Sequence, residues 1–271
     1  MKHLWSLVLV LFCFEAFASK VDSVRVYSPS MNKEINCVII TPDAMQGHET
    51  PKFPVVYLLN GYGGNHQTWI THFPYIKDLS DAYGMILVSP DGNNSWYWDS
   101  PIDPKMKYET FVVEELVAFV DRHYPTQASR RGRAVTGLSM GGHGALFLSF
   151  RHQDVFGAAG SMSGGVDFRP FPRSWQIAKR LGAYSEHPEI WEQHTVMSQL
   201  HRLVGDHLAL LIDCGTEDFF FEVNERLHRE LLYRNIPHDY TTRSGAHNTK
   251  YWASSLRYHL LFFNQYFKKH L

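Results

Sequence analysis

The run Gly137-Leu138-Ser139-Met140-Gly141, continued by Gly142-His143-Gly144-Ala145-Leu146, admits few folds. Residues 133–136 before it are β-prone, and residues 144–150 after it favour helix. A serine between them sits on a tight strand-to-helix turn in a strained backbone conformation. Glycines two positions to either side remove the Cβ atoms that would clash as strand and helix approach. The serine hydroxyl then stands clear of the sheet. The helix N-terminus behind it offers unpaired N–H groups and a partial positive charge to a substrate oxygen that gains negative charge. Such a pentapeptide reads as a nucleophile elbow only between a strand and a helix, and both are present here.

Around this turn short β-type runs alternate with helical stretches. The runs cover residues 23–27, 35–41, 55–59, 85–89, 134–137, 157–162, 208–213 and 238–242. Candidate helices cover residues 75–83, 109–123, 142–150, 221–235 and 254–267. From Val55 onward the alternation predicts an α/β fold, a mostly parallel sheet with helices on both faces. The first two runs have no helix between them and predict an antiparallel N-terminal hairpin. Helix 142–150 carries no formal charge until Arg151 and belongs inside a sheet layer. Residues 166–203 hold Phe168, Phe171, Trp175, Tyr184 and Trp191 among prolines and charges, too long for an ordinary connection. They read as an insertion over the active site, within one domain spanning residues 19–271.

The 271 residues are 44% hydrophobic and 14% aromatic, enough for one large core. Net charge is −1 and the basic residues are scattered, which argues against nucleic acid or an anionic membrane as partner. The 16 histidines include no H-E-x-x-H and the cysteines no C-x-x-C, so no metal is expected. Lys2 and His3, an apolar run over residues 4–14, and Ala16-Phe17-Ala18 have the three regions of a signal peptide. Residues 1–18 are therefore expected to be removed and the protein to be secreted or periplasmic. The apolar run is about half the ~20 residues of a membrane span, and Phe12 stands before Cys13 where a lipoprotein signal has a small residue. Cleavage leaves Cys37 and Cys214, both in apolar runs where a reduced cysteine packs as a small hydrophobe. Their pairing cannot be deduced from sequence.

A nucleophilic serine needs a base, and the base an orienting acid; after an elbow of this kind the chain order is serine, acid, histidine. Residues 208–213 form a late strand, and Cys214-Gly215-Thr216-Glu217-Asp218 is the loop that follows it. Asp218 is assigned as the acid. Asp213, at the strand's end, is expected to hydrogen-bond loop backbone, and Glu217 to point away. After the last run comes Ser244-Gly245-Ala246-His247-Asn248, where the glycine lets the loop turn back over the sheet, so His247 is assigned as the base. The strand at 55–59 ends in Asn60-Gly61-Tyr62-Gly63-Gly64; no Lys-Ser/Thr follows, which rules out a P-loop. The backbone N–H groups of Tyr62 and Met140 are the expected oxyanion hole. Trp96-Tyr97-Trp98 lies in a loop at the C-terminal edge of the sheet, where α/β proteins bind ligands, and Trp96 and Trp98, together with aromatics of the 166–203 insertion, are expected to border the substrate pocket.

In these motifs the chain resembles the putative esterase family of α/β-hydrolases, which includes feruloyl and acetyl-xylan esterases, tributyrin-type esterases, S-formylglutathione hydrolases and mycolyltransferases. The likeness runs from about Val24 to the C-terminus: residues 59–64 resemble the oxyanion loop, 137–144 the elbow, 213–218 the acid loop and 245–247 the histidine loop. Members often have histidine where Asn60 stands. The resemblance implies an exported carboxylic-ester hydrolase that forms an acyl-enzyme without a cofactor and removes acetyl or feruloyl groups from polysaccharide. An acyltransferase of the mycolyltransferase type would use the same residues, whereas a non-catalytic carbohydrate-binding relative should have lost a triad member.

Overall fold

Side-chain alternation along the strands decides which residues enter which of two cores. The structure, a computed structural model, describes residues 19–43, 51–205 and 207–271; the expected signal peptide, with Cys13, lies outside the described residues. The strands are β1 (Lys20–Ser28), β2 (Lys33–Thr41), β3 (Val55–Leu59), β4 (Ile86–Pro90), β5 (Arg133–Leu138), β6 (Ala158–Met162), β7 (Ala209–Gly215) and β8 (Asp239–Arg243). They form one 8-stranded sheet in the order β1-β2-β4-β3-β5-β6-β7-β8. The β1–β2 hairpin is antiparallel, β2 also runs antiparallel to β4, and every later pairing is parallel. On β3, Val55, Tyr57 and Leu59 join one core while Val56 and Leu58 join the other.

The helices are α1 (Thr68–His72), α2 (Ile76–Tyr83), α3 (Tyr108–Thr110), α4 (Val117–His123), α5 (Met140–Arg151), α6 (Ala178–Leu181), α7 (Pro188–Gln193), α8 (Val196–Gln199), α9 (Phe221–Tyr233) and α10 (Thr249–His270). Core residues of α5 and α9 fill the first face; those of α1, α2 and α10 fill the second. As its sequence suggests, α5 is buried through Phe150 and has only Arg151 partly exposed. The helix expected over residues 109–123 is divided: α3 passes into a π-helical stretch, Phe111–Leu116, before α4. The final helix is longer than its apolar pattern, because Asn248 caps it by accepting the Tyr251 N–H at 3.1 Å. The 166–203 segment folds into α6, α7 and α8 between β6 and β7. Among the described residues no helix is long and apolar enough to cross a membrane, and Cys37 and Cys214 are buried and unpaired.

Candidate active site

Parallel strands place the loops after β3, β5, β7 and β8 on one edge of the sheet, and these loops carry the site. Ser139 caps α5 with φ 56° and ψ −116°, the strained conformation its position demands. The flanking glycines are a steric requirement: a Cβ on Gly137 would lie 2.4 Å from the Gly141 carbonyl, and one on Gly141 only 2.0 Å from the Leu59 carbonyl oxygen. The Ser139 N–H donates to the Met162 carbonyl at 2.9 Å, tying the turn to β6.

The acid and histidine loops are stitched to each other. Thr216 N–H donates to the Arg243 carbonyl at 2.9 Å and Glu217 N–H to the Gly245 carbonyl at 3.0 Å. This approach requires Gly215, whose Cβ would lie 2.1 Å from the Gly245 oxygen. Asp218 is buried, and its carboxylate accepts the Phe220 N–H at 2.8 Å and faces His247 Nδ1 at 3.0 and 2.8 Å. A carboxylate at Nδ1 leaves the neutral ring's other nitrogen, Nε2, as an acceptor, and Ser139 Oγ lies 2.9 Å from it. The histidine ring is held between Phe219, with centroids 4.2 Å apart, and Trp252, at 4.9 Å and nearly perpendicular. The structure therefore brings Ser139 Oγ, the His247 ring and the Asp218 carboxylate together in one hydrogen-bonded chain.

Asp213 differs in detail from expectation. It accepts from side chains, Tyr251 Oη at 2.5 Å, Ser255 Oγ at 3.0 Å and Arg243 at 2.7 Å, because α10, which carries Tyr251 and Ser255, packs on β7, and Arg243 lies on the neighbouring β8. Burial pushes its carboxyl above the ordinary range against the pull of these donors. Glu217 is exposed and accepts from Ser244 Oγ at 2.9 Å.

Near Ser139 lie the two amides expected to bind an oxyanion. Among the described residues neither Tyr62 N–H nor Met140 N–H donates to a protein acceptor. Buried Asn60 shapes the Tyr62 loop: its Nδ2 donates to the Gly61 carbonyl at 2.9 Å, and its Oδ1 accepts the Gly92 N–H at 2.9 Å and Tyr97 Oη at 3.1 Å. A cavity of about 470 Å³ opens over Ser139 and His247, walled by Tyr62, Phe73, Leu138, Trp175, Phe219 and Trp252.

Trp96 and Trp98 do not line that cavity, which corrects the sequence-based expectation. Both are buried, at 1% and 0% exposure, because positive φ angles of 59° at Trp96 and 63° at Tyr97 turn the loop inward. The two indoles stack at 5.5 Å, and Trp98 Nε1 donates to Nε2 of His143, whose Nδ1–H donates to the Gly165 carbonyl. Complete burial lowers the His143 pKa to about 3, consistent with a neutral ring that accepts at Nε2. They support Trp175 from behind, with Trp96 6.0 Å from it. Trp175 is one of the insertion's aromatics expected beside the pocket and does line it, whereas Phe219, which adjoins Asp218 in sequence, and Trp252 were not among the expected lining residues. Among the described residues no three His, Cys, Asp or Glu side chains converge as a metal ion requires.

Residues 28–263 match the family model described as "Putative esterase". The chain belongs to that family. An acetyl esterase of Caldicellulosiruptor saccharolyticus is 23% identical over 252 residues, 86% of this chain and 93% of that one. A solved ferulic acid esterase superposes with a TM-score of 0.77 at 28% identity, covering 93% of this chain and 99% of the other. The fluorophosphonate-binding serine hydrolase FphF of Staphylococcus aureus reaches 0.81 at 19% identity, covering 91% and 98%. This family member is a serine ester hydrolase with the α/β-hydrolase fold.

Proposed function

We propose that Ser139, His247 and Asp218 hydrolyse carboxylic esters through an acyl-enzyme, and that the enzyme is exported and removes acetyl or feruloyl groups from polysaccharide. The observation that carries the mechanism is His247 spanning Ser139 Oγ at 2.9 Å and the Asp218 carboxylate at 2.8 Å. Ser139 Oγ attacks the ester carbonyl carbon as His247 Nε2 takes its proton. The carbonyl oxygen becomes an oxyanion facing the Tyr62 and Met140 N–H groups, an interaction worth about two to three decades in rate per donor. The intermediate collapses, and His247 returns the proton to the departing alcohol. Water, deprotonated by His247, then frees the acid and Ser139.

The substrate reading draws on the acetyl esterase relative and the ferulic acid esterase neighbour. It also draws on the aromatic wall, since Trp175 and Phe219 stack at 5.8 Å and 20° beside the nucleophile, and such faces suit planar acyl groups and sugar rings. Export rests on the signal-like residues 1–18. Rates on acetylated xylan, methyl ferulate and p-nitrophenyl esters of graded length, compared for the wild type and Ser139→Ala, test the proposal. It fails if the polysaccharide and ferulate esters are inert while short aryl esters turn over. Adding sugar alcohols as competing acceptors separates hydrolysis from acyl transfer, which would give a new ester in place of free acid.

A further inference from the structure

A second cavity, of about 390 Å³, lies on the far part of α5 and shares no lining residue with the cavity over Ser139. Its polar wall is Asp99, Glu109, Glu114, Arg151, His152 and His194. Nothing in ester hydrolysis calls for these groups.

The wall is built in advance. Asp99 accepts both the Thr110 N–H, at 3.0 Å, and Thr110 Oγ1, at 2.6 Å. Glu109 is fixed by Arg151 Nε at 2.6 Å and His152 Nε2 at 2.7 Å. The floor is stacked: Phe147 lies nearly parallel to His194, at 6.1 Å and 10°, and to His143, at 5.6 Å and 18°. Glu114 projects from the π-helical stretch, a deviation from regular helix that often marks functional positions.

Several polar atoms keep valences free. The Glu114 side chain has no partner among the described residues. Among the described residues the terminal nitrogens of Arg151 make only a long contact, 3.5 Å to Gln199. His194 Nδ1–H donates to the Ile190 carbonyl at 2.6 Å, which leaves Nε2 as an acceptor, and burial disfavours its protonation. Free donors and acceptors thus stand side by side. Three carboxylates repel an anion, and the Arg151 guanidinium among them opposes a simple cation. Hydroxyl groups, each able to donate and accept, match such a mixed wall.

We propose that this cavity is a second binding site, for a neutral hydroxyl-rich ligand the size of one or two sugar units. The test titrates xylobiose, with spermidine and acetate as charged counter-probes, into full-length enzyme whose Ser139 has been blocked with a fluorophosphonate. Binding is read by calorimetry and by tryptophan fluorescence, since the Trp98 ring meets His194 at 5.4 Å. Saturable binding of xylobiose that weakens at least tenfold in both Glu114→Ala and His194→Phe is the expected result. The second variant keeps the ring stack and removes the acceptor. Absence of xylobiose binding, binding of spermidine or acetate in its place, or binding that neither variant weakens would overturn the proposal. The blocked serine separates this outcome from the catalytic reading, which rests on turnover.

Discussion

Asp213 and Asp218 sit on one strand and its loop, and replacing each by asparagine should give opposite phenotypes. In Asp218→Asn the side chain keeps its size but loses an acceptor. If its amide nitrogen faces His247 Nδ1, the ring must carry its proton on Nε2, the atom that lies 2.9 Å from Ser139 Oγ. That tautomer cannot take the serine proton. Loss of the orienting carboxylate in serine triads costs about 10⁴-fold in kcat, or roughly 5.5 kcal/mol at 1.36 kcal/mol per decade. Little stability should be lost, since the asparagine oxygen can still accept the Phe220 N–H. Asp213→Asn instead breaks an ion pair whose carboxylate is fully buried, leaving Arg243 without its charge partner. Breaking a buried pair costs about 3–5 kcal/mol of stability, while His247 keeps Asp218. Urea unfolding and kcat for p-nitrophenyl acetate, measured on both variants at a temperature where each is folded, read the two effects separately. A larger kcat loss in Asp213→Asn than in Asp218→Asn would transfer the acid role and refute the reasoning.

Acid should unfold the protein early. His143 and His259 are fully buried, and burial lowers both pKa values to about 3. The unfolded chain takes up these two protons near pH 6.5 while the folded chain refuses them, so stability falls as pH drops through that window. At pH 4.5 the two together cost about 5 kcal/mol. Circular dichroism against pH should show a midpoint that moves to lower pH in His259→Gln, and an unchanged midpoint in that variant would contradict the account. Trp175→Ala should alter the ratio of kcat/KM between a feruloyl and an acetyl ester. Trp98→Ala should instead remove about 3–5 kcal/mol of stability with that ratio intact, and a reversed pattern would return Trp98 to the pocket. Activity should withstand EDTA, because each proposed step uses only side chains and backbone amides; loss restored by a metal would count against it.

The β-type runs were enough to recover all eight described strands: β3 to β6 are buried throughout and read as apolar or small-residue runs, while the edge strands β1 and β8 show only as β-branched and aromatic residues among polar ones. The convergence of Ser139, Asp218 and His247 on one site was equally legible. Gly137, Gly141 and Gly215 mark close backbone approaches and Gly245 a positive φ of 148°, and the three side chains stand within a few residues of them. The cavity walls were not. An indole suits a core and a cleft equally well, and the inward turn at Trp96 and Tyr97 depends on two non-glycine residues at positive φ, which no local pattern announces. The π-helical stretch was hidden for a similar reason. Residues 111–116 contain no glycine or proline to announce a break, and Phe111, Val112, Val113 and Leu116 are buried as they would be in a regular helix.

The central claim is that Ser139 Oγ becomes covalently acylated. Mass spectrometry of the acid-quenched enzyme after millisecond mixing with p-nitrophenyl acetate, followed by peptide mapping, measures this directly. The account predicts an acetyl adduct confined to the peptide containing Ser139, blocked by prior fluorophosphonate treatment and absent from Ser139→Ala, whose turnover falls by several decades. An adduct on another residue, or Ser139→Ala that hydrolyses the ester within tenfold of wild type, would contradict it.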